Sequence, residues 1–220
     1  MSKVTRVQLA LLGCFIALSL LVRLDAVVDI ESQILLAIHR HSDDTFDHVM
    51  LLANAIGGPK PVGLMVFVFG LVGFARTRNT IYLAAIPMLG MSAVLNLGLR
   101  AVLHRHRPEL WHTLIYDHSF IWSFPSGHAC LAASLATAIN LVLWETRYRR
   151  LAYIGGIAYC VFVAITSVIL GVHYPLDILG GWLSGSLIVS LAWSWMQFVR
   201  SYATRLLSKG QADEQSDSTM

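Results

Sequence analysis

Ser123-Phe124-Pro125-Ser126-Gly127-His128 stands where an irregular loop turns into an apolar run covering residues 127–144. Pro125 cannot donate to a helix, Ser126 is a good cap, and Gly127 lets the backbone approach a ligand closely. Free N–H groups at such a helix start, with a hydroxyl and an imidazole beside them, suit an anion. Two other polar clusters also sit where an apolar segment ends. Upstream, Arg100 is followed after six residues by Arg107-Pro108; downstream comes His173-Tyr174-Pro175-Leu176-Asp177.

The surroundings of these clusters define the class of protein. Of 220 residues, 56% are hydrophobic and only 13% charged, too little polar surface to cover a water-soluble fold of this size. The apolar residues come in long runs, as membrane spans require. The expected fold is all-α and polytopic, a bundle of about six transmembrane helices. The spans fall near residues 7–22, 61–75, 80–99, 127–144, 151–170 and 175–199, with a kink at Pro87. Residues 29–54 mix apolar and acidic side chains and read as an amphipathic helical segment at the interface, ended by Gly57-Gly58-Pro59-Lys60-Pro61. A single transmembrane domain over residues 1–205 is expected, with residues 206–220 a polar, disordered tail. Gly180, Gly181 and Gly185 fit close helix packing.

Lys3, Arg6, Arg76, Arg78, Arg147, Arg149, Arg150, Arg200, Arg205 and Lys209 fall on one side of a six-span chain. The positive-inside rule then makes both termini cytoplasmic and puts all three polar clusters on the outer face. The net charge of +3 forms no basic stripe, so nucleic acid is not an expected partner. Cys14, Cys130 and Cys160 lie in apolar runs without paired spacing. His104, His106, His112 and His118 lack zinc spacing and read as loop residues; Trp111, Tyr116, Phe120 and Trp122 read as an interfacial aromatic belt.

Together the clusters have the parts that phosphate-ester chemistry at a membrane surface needs. Arg107 and Arg100 can grip phosphate oxygens, and Ser126 and Gly127 can hold others. His173 can attack phosphorus, with Asp177 fixing its tautomer, while His128 protonates the leaving oxygen. Asp177 just inside a long apolar run is costly and marks a functional site.

The three clusters resemble the signature of the type-2 phosphatidic acid phosphatase superfamily, the lipid phosphate phosphatases related to vanadium haloperoxidases. That signature is Lys, six residues, Arg-Pro; Pro-Ser-Gly-His; and Ser-Arg, five residues, His, three residues, Asp. Here Arg100 replaces the Lys, the second motif is complete at residues 125–128, and the third reads Thr166-Ser167, five residues, His173, three residues, Asp177. The resemblance implies metal-independent hydrolysis of a phosphomonoester or diphosphate through a phosphohistidine, without a cofactor. Expected partners are the bilayer and a lipid phosphate: phosphatidic acid, phosphatidylglycerol phosphate or a polyprenyl phosphate or diphosphate. It also implies a bacterial inner membrane setting. Ser167 stands where the family has Arg, a loss on the order of 10²–10³ in rate unless another cation such as Arg105 compensates. A lipid phosphotransferase, or a non-catalytic lipid-phosphate binder or transporter, are the alternatives. Oligomeric state stays open.

Overall fold

The structure, a computed structural model, describes residues 3–111 and 122–217. Those residues form helices only: α1 (Lys3–Leu21), α2 (Asp25–His39), α3 (Asp44–Ala55), α4 (Pro59–Thr77), a 3₁₀ turn (Thr80–Ala84), α5 (Ala85–Leu103), α6 (Gly127–Leu143), α7 (Arg149–Ile169) and α8 (Pro175–Asp217). Within the described residues, five stretches are long and apolar enough to cross a membrane: Val4–Leu21, Pro59–Thr77, Thr80–Leu103, Arg149–Ile169 and Pro175–Arg205. The sixth expected span is α6, apolar but only 17 residues long. At 1.5 Å per residue this reaches about 25 Å, the lower end of what a span needs. It is flanked by α5, α7 and α8 and buries a row of small residues, Ala129, Ala132, Ala133 and Ala138. Large apolar side chains on the outer helices, such as Leu64 at 63% and Ile154 at 66% exposure, face outward, as hydrocarbon demands.

Helix starts follow local chemistry. Asp43 caps α3 by accepting from the Phe46 N–H at 2.8 Å, and Pro59 occupies the first turn of α4, where its missing N–H costs nothing. The expected interfacial segment is two helices, α2 and α3, separated by residues 40–43. No kink forms at Pro87. It lies in the first turn of α5, and the break falls just before it, where 3₁₀ winding gives way to α. The helix α8 continues through residue 206 to Asp217.

Small residues set the central packing. A Cβ added to Gly185 would lie 2.4 Å from the Cys130 carbonyl oxygen, and one on Gly181 would lie 2.7 Å from the Ser126 carbonyl oxygen. No side chain fits at either point, so α6 and α8 pack backbone to backbone. Polar pairs join other helices: Ser92 and Ser134 lie 2.6 Å apart, and the Gln8 amide donates to the Ser190 carbonyl at 3.0 Å. The close α6–α8 contact carries the start of α6 against the start of α8.

Candidate active site

That junction unites the second and third motifs. The Ser126 N–H donates to the Asp177 carbonyl at 3.0 Å. Ser126 is fully buried, and its Oγ accepts from the Ala129 N–H at 3.4 Å as the cap of α6, leaving its own proton to donate. Gly127 faces α5: a Cβ there would lie 3.4 Å from Arg100 Nη1 and 3.6 Å from Asn96 Oδ1. Arg100 is held by the Trp122 carbonyl, which accepts from Nε at 3.1 Å and Nη2 at 2.7 Å. Arg107 donates from Nη1 to the Val172 carbonyl at 2.7 Å, which seats its guanidinium beside His173. The charges of Arg100 and Arg107 act on both the His128 and His173 rings. The residues singled out in three distant stretches therefore share one place.

His173 lies between α7 and α8 and is 2% exposed. Its Nδ1 is 3.6 Å from Asp177 Oδ2 and has no hydrogen-bond partner among the described residues. Such contacts are often long before substrate arrives and tighten in the complex. Burial, opposed by Asp177 and reinforced by Arg107, pushes the imidazole down to about 3 from its ordinary value. It is neutral at physiological pH, with a lone pair available. Asp177 is fully buried in the first turn of α8, and its Oδ2 accepts from the Tyr174 N–H at 2.9 Å, half of a capping box. His128 is half-buried against the α3–α4 turn; a Cβ added to Gly58 would lie 3.6 Å from its Nε2.

Arg105 and Ser167 do not do what the sequence leads one to expect. Arg105 is turned away from a compensating phosphate grip: Nη1 donates to Asp177 Oδ1 at 2.6 Å and Nη2 to Glu31 Oε2 at 2.5 Å. A guanidinium forked between two buried carboxylates is committed to them. Ser167, fully buried, accepts from the Asn54 amide at 2.8 Å and donates to the Val163 carbonyl at 2.8 Å. The same Asn54 nitrogen donates to Thr166 Oγ1 at 3.0 Å. A neutral cluster thus joins α3 to α7 around Ser167.

Several residues here went unmarked in the sequence. Glu31 was legible in principle, because Val27, Val28, Leu35 and Ile38 share its helical face, so a carboxylate sits in an apolar stripe. Asn54 and the Trp122 carbonyl carry no such signal. His104 and His106 pack edge-on against Trp122, with ring centroids 4.5 and 5.0 Å away. Trp111 stacks on His39 at 4.0 Å and lies so close to Gly171 that no Cβ fits there. His112, His118, Tyr116 and Phe120 lie outside the described residues.

Residues 81–201, more than half the chain, match the PAP2 superfamily, and the chain belongs to that superfamily. Among its relatives is phosphatidylglycerophosphatase B of Bacillus subtilis, 30% identical over 132 residues, which cover 58% of this chain and 64% of the relative. The undecaprenyl-diphosphatase of Sulfolobus acidocaldarius is 39% identical over 71 residues, 32% of each chain. The matches thus span less than two thirds of either relative's length. The crystal structure of the transmembrane PAP2 type phosphatidylglycerolphosphate phosphatase from Bacillus subtilis superposes with a TM-score of 0.77 at 23% identity, covering 87% of this chain and 96% of that one. That likeness is one of fold.

Proposed function

We propose that this chain is a membrane-embedded lipid phosphatase that works through a phosphohistidine and needs no metal. The observation that carries the reading is the convergence of three motifs from separate helices on one buried histidine–carboxylate pair flanked by two arginines. Arg100 and Arg107 bind the phosphoryl oxygens, helped by the N–H groups at the start of α6. The His173 Nε2 lone pair forms a bond to phosphorus as the bond to the lipid oxygen breaks, and that oxygen takes its proton from His128. His128, now neutral, removes a proton from the water that attacks the phosphohistidine, and inorganic phosphate leaves. Asp177 keeps the His173 proton on Nδ1 and faces the positive charge that the ring gains.

The relatives' names point to phosphatidylglycerol phosphate and polyprenyl diphosphate as candidates, with phosphatidic acid beside them. In this reading the chain crosses six times, so both termini share one side. By the positive-inside rule the basic residues mark that side as cytoplasmic and the site as facing the exterior. The Bacillus subtilis relative supports a bacterial cell membrane as the setting. The test is phosphate release by detergent-purified protein from those three lipids in the presence of EDTA. We expect release from at least one, and a loss of at least about 10³-fold in His173→Ala. Folded protein that releases nothing from any of them contradicts the proposal, and label appearing in a second lipid identifies a transferase.

A further inference from the structure

Arg105 links the candidate site to a helix outside the family's motifs. Its guanidinium bridges Asp177 Oδ1 at 2.6 Å and Glu31 Oε2 at 2.5 Å, and its carbon lies 4.3 Å from the centre of the Tyr174 ring. The other Glu31 oxygen accepts from the Leu176 N–H at 2.7 Å, next to Asp177 in the chain. Glu31, Arg105 and Asp177 are 3%, 9% and 0% exposed. We propose that Glu31 and Arg105 are positioning residues that set the aim and the charge of Asp177, and through it of His173, so that helix α2 completes the site. This rests on the phosphatase reading above.

The reason is charge balance. Asp177 alone against Arg105 would form a neutral pair, leaving little negative charge to face the ring of His173. With Glu31 sharing the guanidinium, the three groups carry a net negative charge in a region where water does not screen it. When His173 is phosphorylated its ring keeps the Nδ1 proton and becomes cationic, and this net charge then stabilises it. The groups that act on His173 are Asp177 of α8, Arg107 of the loop and Arg100 of α5, with His128 of α6 beside the same arginines; Arg105 and Glu31 act through Asp177. Glu31 also explains the orientation of α2: it faces inward while its neighbours Ile30 and Ile34 are exposed.

A buried ion triad that merely fastens α2 would leave the pH dependence of the reaction unchanged. The test therefore measures kcat and KM for phosphate release against pH in detergent for wild type, Glu31→Gln, Arg105→Gln and the double variant. Each single variant is expected to lower kcat roughly tenfold or more with little change in KM. The acid limb of kcat/KM should move to lower pH in Glu31→Gln, where the surroundings of His173 become more positive. It should move to higher pH in Arg105→Gln, each by at least about half a unit. The double variant restores the net charge and should return the limb toward that of wild type. It also carries the test if Arg105→Gln, left with two buried carboxylates and no cation between them, fails to fold. Limbs that stay put, or move the same way, overturn the proposal. If wild type releases no phosphate, the functional reading fails by itself. The pH dependence of thermal unfolding then takes over as the readout: the acid limb of stability must shift in the same opposite senses in the two single variants, and no shift rejects the linkage.

Discussion

His173 carries the chemistry proposed here, and its surroundings dictate how the protein should respond to acid. The folded state holds the ring down to about 3, whereas the unfolded chain returns it to the ordinary 6.5. Between those values the unfolded state binds the extra proton, so this group's contribution to stability rises with pH and is lost as pH falls below 6.5. We expect the thermal midpoint of wild type to fall more steeply between pH 6.5 and 4 than that of His173→Gln; parallel curves would show that the ring is not held neutral. Arg107 should act mainly on the reaction. Arg107→Ala removes a charged donor beside the phosphoryl group and should lower kcat/KM about 10²–10³-fold, measured on the best lipid of the panel. A loss under about threefold would remove Arg107 from the site. At this scale the sequence was most informative, because His128, His173, Asp177, Arg100 and Arg107 each sit in a short motif with fixed spacing. Arg105 misled: a cation two residues before Arg107 looks like another phosphate ligand, and only the fold reveals the carboxylate of α2 that claims it.

Among the elements, α6 and α8 matter most, since their close approach brings Ser126 to Asp177. Gly185→Ala places a methyl 2.4 Å from the Cys130 carbonyl oxygen and must push the helices apart. We expect it to cost about 1–3 kcal/mol or more and to lower activity with stability, both readable from thermal unfolding beside the lipid assay. An unchanged midpoint would mean that the contact is looser than described. Asn54→Ala removes the two hydrogen bonds that tie α3 to Thr166 and Ser167. A loss of about 1–3 kcal/mol is expected, and a loss near zero would show that this neutral cluster is not what holds α3 to α7. The spans themselves were legible from hydropathy, and the break at residues 57–61 from its glycines and prolines. The kink expected at Pro87 was not, because hydropathy cannot say where in a helix a proline will fall. Nor could it say that α2 and α3 separate, since amphipathic stretches read alike until their buried faces are known.

At the scale of the whole molecule, the proposed six-span arrangement with its site on the outer face makes a prediction that topology can check. Lys60 and Arg147 are both exposed, at opposite ends of the bundle by the six-span reading. In a cysteine-free background within intact bacterial cells, Lys60→Cys should react with a membrane-impermeant thiol reagent, and Arg147→Cys only after permeabilisation. The reverse pattern would turn the site to the cytoplasm. The central claim is chemical, and trapping the intermediate tests it most directly. Protein mixed with a radiolabelled lipid phosphate that it hydrolyses, quenched in base in the presence of EDTA and digested, should carry the phosphoryl group on the His173 peptide, and His173→Ala should carry none. Turnover of that lipid with no label on His173, or with the label on His128, would contradict the account.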